Sequence, residues 1–191
     1  IGETGIVKVS AVSWGAFLED ESKTITDTKF YNEKFIIRSG DFLLSRANTS
    51  ELVGAVVIVK NISRSLMLSD KILRITYTEN VLPQWVLYCL RSIDGRQQIE
   101  QSATGNQQSM MNISQEKIRG IRIKLPTLIE QQEIIIRMEN FLTLADKIEQ
   151  RYFKTKISID KLPLSILSKA FRGDLVPQDS NDEPASMLLQ R

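Results

Sequence analysis

Residues 103–112 read ATGNQQSMMN, a stretch without charge in which Asn106, Gln107 and Gln108 stand in succession. An amide side chain offers a donor and an acceptor side by side, the pattern that bonds bidentately to an adenine edge in the DNA major groove. The same composition also fits an ordinary surface loop, since polar, glycine-containing segments between periodic ones are commonly turns. A second group lies in SRANTSE, 45–51, where Arg46, Asn48, Thr49 and Ser50 follow an apolar run. A guanidinium and short donors there serve phosphate or base contacts, or a structural turn in which Arg46 pairs with Glu51 or another local acid. A third group is QEKIRGIRIK, 115–124, with Lys117, Arg119, Arg122 and Lys124. Strand alternation puts Arg122 and Lys124 on one face, opposite Ile121, Ile123 and Leu125, where they track phosphates or simply face water.

What is missing narrows the chemistry further. The chain has no histidine and one cysteine, Cys89. His-based general bases, Ser-His or Cys-His pairs and His- or thiolate-ligated metal sites are therefore excluded. Neither G-x-x-x-x-G-K-[ST] nor G-x-G-x-x-G occurs, so no phosphate or dinucleotide cradle is announced. No two prolines are adjacent, which removes the Pro-Pro-Tyr or Pro-Pro-Phe core of amino-methyltransferase sites. The run Glu19, Asp20, Glu21 reads as a solvated face. Without a nucleophile, base and orienting group together, neither catalysis nor a cofactor or metal is expected.

The elements that must position these groups fall into two regions. Eight of the nine glycines lie at or before Gly120 and none between Ile121 and Arg172, so the composition changes near Leu125. We place a boundary there, giving regions 1–125 and 126–191. Lys plus Arg against Asp plus Glu count 16 to 13 in the first and 9 to 10 in the second, a mild basic bias that permits nucleic-acid binding. Strand-type runs are expected at 5–10, 34–39, 41–45, 53–60, 71–77 and 118–125. Between the last two, Pro83 suits a first helical position and Val86, Leu87, Leu90 and Ile93 recur at helical spacing. The first region is thus α+β, mixed and β-rich with peripheral helices. Trp14 serves either as a stacking surface or as core, burial being the commoner use of an aromatic in such a segment.

In the second region Thr127 and Glu130 form a capping box, so a helix begins there. Ile134, Met138, Phe141, Ala145, Ile148, Tyr152, Ile159, Leu162 and Ile166 then alternate at spacings of four and three, with Thr155 the one polar residue in the seam. Such a seam predicts a coiled coil that pairs with another helix; packing back on its own domain is the alternative. Pro163 is expected to kink or interrupt the helix and Gly173 to stop it. A short helical tail is expected within 182–191. No apolar run approaches the roughly 20 residues needed to span a bilayer, and no secretory leader is visible. One cysteine excludes an internal disulfide, and the cytoplasm is the expected compartment. The first residue is Ile rather than Met, from which a longer parent chain is expected.

Three stretches together, SGDFLLSRANTSELVGAVVIV at 39–59, NISQEKIRGIRIKLPTLIEQQEII at 112–135 and AFRGDLVPQDSNDEPASMLLQR at 170–191, resemble the specificity subunit of type I restriction-modification enzymes. In that family two target recognition domains alternate with two long conserved helices, and each domain reads one half of a split DNA site. The resemblance implies that 1–125 is a target recognition domain and 126–191 a helical spacer and dimerisation region, either a C-terminal half or a naturally short half-subunit. It implies no catalysis: partner modification subunits flip and methylate adenine, and restriction subunits translocate and cut foreign DNA. The implied partners are double-stranded DNA, modification subunits, restriction subunits through the complex, and the antiparallel helix of the other repeat or a second copy. It also raises Asn106, Gln107 and Gln108 to base readers. An assembly protein dimerising through its coiled coil, with the α+β domain binding protein, is the alternative.

Overall fold

The computed structural model describes residues 4–190 except 26, 108, 109, 178, 180, 182, 184–186 and 188, and the side chains of Thr28 and Asn106 are likewise outside the description. The chain divides into two compact units, 1–136 and 137–191.

The first unit is built on a central sheet of β3 (Phe42–Ser45), β5 (Val56–Ile58) and β7 (Ile72–Ile75), with β3 in the middle and both pairings antiparallel. All four residues of FLLS are buried, three apolar and Ser45 polar, because both faces of this sheet are covered, the usual cause of a non-alternating strand. Leu43, paired with Val57, points into one core with Val7, Leu66 and Ile72. Phe42 and Leu44 point the other way, into a second core with Val56, Leu90, Ile99 and Ile113. The first core is closed by a sheet of β1 (Gly5–Val7), β2 (Ser22–Thr24) and β6 (Leu66–Met67). The second is closed by α1 (Pro83–Arg91) and α2 (Ile93–Ser102), which supply Leu90 and Ile99. A third sheet joins β4 (Ala47–Asn48), β9 (Met110–Asn112) and β8 (Thr104–Gln107) in that order.

Three expectations change. Residues 33–35 form a 3-10 turn and only Ile36 makes a bridge, with Met67, so 34–39 is not a strand. Helix spacing does not carry through to Ile93: Ser92 ends α1 and caps α2 anew, its hydroxyl accepting from the Gly95 amide at 3.2 Å. That reset turns Ile93 outward, 77% exposed. Finally, 118–125 joins no sheet. Its first residues belong to α3 (Gln115–Arg119), capped by Ser114, and the rest runs extended along α1 and α2. Side chains take the place of a neighbouring strand. Gln98 accepts from the Arg122 amide at 2.8 Å and donates to its carbonyl at 3.0 Å, while Trp85 Nε1 donates to the Lys124 carbonyl at 3.0 Å.

The capping box forms as read: Glu130 Oε2 accepts from the Thr127 amide and hydroxyl, each at 2.9 Å, and the Glu130 amide donates back to Thr127 Oγ1 at 3.4 Å. It opens α4, Leu128–Arg172, 45 residues or about 68 Å at 1.5 Å per residue. Pro163 does not interrupt it. Gly173, at φ 73°, ends it with a pair of bonds, Gly173 amide to Ala170 carbonyl at 3.1 Å and Asp174 amide to Lys169 carbonyl at 2.9 Å. This double closure satisfies carbonyls the helix leaves open and needs a left-handed residue, which glycine adopts freely. The helical tail expected within 182–191 falls largely outside the described residues.

Candidate nucleic-acid interface

Two stretches singled out separately in the sequence become neighbours in one sheet. Ala47 pairs with Asn112 and Asn48 with Met111, while Thr104 also pairs with Asn112 and Gln107 with Met110. The uncharged stretch is therefore a hairpin of β8 and β9. Directly paired residues of antiparallel strands point to the same side and successive residues alternate. One side then carries Ala47, Thr104, Gln107, Met110 and Asn112, and the other Asn48 and Met111. Burial agrees: Met111 packs on the second core, whereas Met110 is 74% exposed and Gln107 is exposed. The hairpin depends on Gly105, where a Cβ would lie 2.4 Å from the Met110 carbonyl oxygen. Asn106 contributes its backbone to β8, its side chain being outside the description, as is Gln108.

Arg46 sits at the junction of β3 and β4. Its amide donates to the Lys71 carbonyl at 2.9 Å, and its carbonyl accepts from the Ile113 amide at 2.8 Å, tying the third sheet to the central one. Among the described residues it makes no ion pair with Glu51 or any other acid. Arg46 Nε, Asn48 Nδ2 and Asn112 Oδ1 are shielded from solvent with no hydrogen-bond partner among the described residues. Ser69 Oγ, Arg74 Nε and Arg91 Nε elsewhere in the domain share this state, so it is not peculiar to this sheet. Asn48 spends its Oδ1 on the Thr49 amide, 2.9 Å away, and so initiates the turn that follows.

That turn is clamped. The Thr49 carbonyl accepts from the Leu52 and Val53 amides, and Gly54 reverses the chain at φ 73°, with Ile99 too close to admit a Cβ. From α2, Arg96 donates to the Val53 carbonyl at 2.7 Å and the Ser50 carbonyl at 3.2 Å, and pairs with Glu100 at 2.9 Å. Its guanidinium lies 4.8 Å over the ring of Trp14, whose Nε1 donates to the Glu51 carbonyl at 2.9 Å. Trp14 thus packs and fixes the turn rather than facing solvent as a stacking surface. Neither Trp14 nor Arg96 was legible as part of this site, because each acts on backbone carbonyls that leave no mark in the sequence.

The basic group of 117–124 does not gather on this sheet. Lys117 and Arg119 lie exposed on α3, Arg119 bordering a groove with Arg74 and Thr76. Arg122 and Lys124 line a separate groove of about 590 Å³ with Trp85, Gln97 and Gln101 of α1 and α2. The alternation read from the sequence survives over 121–124, Ile121 and Ile123 half-buried and Arg122 and Lys124 exposed, but not at Leu125, which is 51% exposed.

The start of α4 is fastened by a residue the sequence reading passed over. Gln131, fully buried, donates to the Asn80 carbonyl at 3.0 Å and the Pro126 carbonyl at 2.9 Å, and accepts from the Leu82 amide at 2.9 Å. Beyond it the seam residues Ile134, Phe141, Ala145, Ile148, Tyr152, Ile159 and Leu162 are exposed and Met138 half-buried. A second stripe also emerges. Phe153, Ile157, Leu164, Leu167 and Phe171 are 53%, 55%, 72%, 52% and 89% exposed. They lie roughly 120° around the helix from the seam at about 3.6 residues per turn.

The acidic run is consumed by structure. Ser63 donates its amide and hydroxyl to Glu19 and holds that carboxyl below its usual range; Ser10, then Lys8, do the same for Glu21; Asp20 pairs with Arg64 at 2.8 Å. Burial pushes the Cys89 thiol up, away from a reactive thiolate. Among the described residues no His, Cys, Asp or Glu cluster is fit to hold a metal, and no helix is long and apolar enough to cross a membrane.

The surface groups of this molecule are ones that recognise and hold, on a fold of class α+β. The chain belongs to the type I restriction modification DNA specificity domain family, whose model matches residues 6–157. It is 31% identical over 148 residues to the type I restriction enzyme EcoEI specificity subunit of Escherichia coli, covering 77% of this chain and 25% of that protein. To the EcoKI specificity subunit of Escherichia coli (strain K12) it is 28% identical over 181 residues, covering 94% of this chain and 39% of that protein. The HsdS subunit from Thermoanaerobacter tengcongensis shares the fold at a TM-score of 0.59 and 18% identity, over 94% of this chain and 44% of that one. This chain therefore spans between a quarter and two-fifths of the curated relatives' length. Those relatives are named for specificity, and the chain is a member of that specificity family.

Proposed function

We propose that the chain binds double-stranded DNA and reads one half of a two-part site, with the β8–β9 hairpin entering the major groove. One observation carries the reading: Ala47–Asn48 of SRANTS and the amide-rich stretch form paired strands of one sheet, on which Thr104, Gln107 and Met110 are exposed. The major groove, about 12 Å wide, admits a two-stranded ribbon, and there amides bond bidentately to adenine while apolar groups meet the thymine methyl. Asn106, whose backbone lies in β8, and Gln108 are the other amides we assign to base reading. Arg46, Thr49 and Ser50, with Asn48 shaping their turn, position the sheet against the backbone, and Lys117, Arg119 and Arg122 meet phosphates farther out.

Division into a recognition domain, 1–125, and a helical spacer, 126–191, follows from the same reading. The seam of α4 pairs antiparallel with the helix of another repeat or of a second copy. The second stripe on the far half of the helix gives a modification subunit its seat, and restriction subunits join through the complex. Methylation of host DNA and cutting of foreign DNA, in the cytoplasm, are then the partners' work. An assembly protein that dimerises through its coiled coil is the second reading; the exposed seam favours it, but it leaves the amide-bearing face without a purpose.

Salt dependence separates the two. We expect sedimentation of the chain with duplex DNA, alone and with the modification subunit present, to show binding that falls steeply with salt, by a slope of about −0.9 per phosphate neutralised. Self-association without DNA binding in either condition would reject the recognition reading and favour the scaffold.

A further inference from the structure

Residues 29–35 hold an aromatic group that neither the central sheets nor the hairpin uses. Phe30, Tyr31 and Phe35 are 68%, 43% and 49% exposed, and the exposed Lys29 and Lys34 stand among them. Their exposure does not come from a slack loop. Arg74, paired with Asp41 at 2.9 Å, donates to the Lys34 carbonyl at 3.0 Å and the Ile36 carbonyl at 2.5 Å. The Phe35 carbonyl accepts from the Leu68 amide at 2.9 Å, the Ile37 amide donates to the Leu66 carbonyl at 2.8 Å, and Asn32 caps the turn. A backbone fastened on both sides of Phe35 holds the rings out.

Protein interfaces share the aromatics of this patch but are depleted in Lys. Rings interleaved with ammonium groups match a nucleic acid, whose bases offer π faces and whose backbone offers charge. The patch also borders the segment that follows the proposed DNA-facing sheet. Lys34, Phe35 and Gln115 border one groove of about 470 Å³, and Gln115 opens α3 just after β9 ends at Asn112.

We propose that Phe30, Tyr31 and Phe35, with Lys29 and Lys34, form a second DNA contact beside the half-site. The rings stack on bases at a step they help to open, as apolar wedges do, and the two lysines hold phosphates. The contact adds affinity without sequence choice, since every base presents a π face. It rests on the DNA reading above.

The test uses the full chain with two 2-aminopurine-labelled duplexes of equal length, one recovered from a randomised library and one unrelated. Phe30→Ala/Phe35→Ala should weaken binding to both by the same factor, about 5- to 100-fold. It should leave the melting temperature unchanged and abolish a rise in 2-aminopurine emission seen with the natural chain. Phe30→Trp should retain that rise, and Lys29→Gln/Lys34→Gln should lower the salt slope by about two. Unaltered binding by the double alanine variant, or a loss confined to the selected duplex, overturns the stacking contact while leaving the DNA reading in place. Failure of the natural chain to bind either duplex overturns both.

Discussion

The two units of this chain use apolar residues in opposite ways. Every described side chain that the fold buries lies in 4–136, whereas in 137–190 none is buried although Phe141, Ile148, Tyr152, Ile159 and Leu162 recur along one line. The first unit satisfies itself: a strand is apolar on both faces because two cores meet across it. The second carries its stabilising surface outward, and a single helix with exposed stripes gains that free energy only against another helix. On the proposed reading, a reader and a spacer thus differ in what completes them, the one DNA and the other protein. Variants that separate these completions sharpen the contrast.

The largest effect is expected in the helix. Ile148→Asp places a charge in the middle of the seam and should weaken self-association about 100-fold or more, since an unpaired buried carboxylate is strongly disfavoured. Sedimentation should show monomer while the melting of the first unit is unmoved; unchanged mass would mean that the seam is not the contact. Next comes Gly54→Ala. Its new Cβ would lie 2.5 Å from Ile99 Cγ2, at a φ of 73° that L-residues avoid. Strain and overpacking together should destabilise the first unit by about 3 kcal/mol, measured by denaturant unfolding. Gln131→Ala strands the Leu82 amide and two carbonyls, and should cost about 2 kcal/mol in the same assay.

Arg96→Ala is expected to be milder for stability, about 1 kcal/mol, because its acceptors regain water in part. Its signature should be a loss of sequence discrimination as the turn after Asn48 slackens, and Arg96→Lys should recover little, having no fork to span two carbonyls. Smallest is a pH effect at the helix start. The Thr127 amide and hydroxyl hold Glu130 below the usual carboxylate range, so the bond's stabilisation is present above the unfolded value and is lost as pH falls through the folded one. Helicity of the natural chain should decline in that acid window more than that of Glu130→Gln, by circular dichroism.

How far the sequence disclosed this depended on whether a signal was local. The capping box at Thr127 and the stop at Gly173 are settled by neighbouring residues and stand as read, whereas the first strand, read as 5–10, ends at Val7 where a 3-10 turn at Val9–Ala11 takes over. Residues 118–125 misled because an extended, alternating segment looks the same whether its partner is a strand or, as here, the side chains of Gln98 and Trp85. The hairpin was hidden for the converse reason: ATGNQQSMMN has little intrinsic strand preference, and pairing of Asn112 with Ala47 overrides it. The amides were visible; that they share a sheet with SRANTS was not, since the contact spans far-separated positions. Trp14 was read as a core candidate, but its hold on the Glu51 carbonyl, like those of Arg96 on the Val53 and Ser50 carbonyls, left no mark because backbone acceptors carry no residue signature.

The central claim is that the outward side of the hairpin reads bases. Selection of bound duplexes from a randomised library, by the natural chain and by Gln107→Ala in the presence of the modification subunit, addresses it directly. A short half-site motif for the natural chain, relaxed at one or two positions in the variant with an unchanged salt slope, is the predicted result. The same motif recovered with equal stringency from both proteins would contradict it.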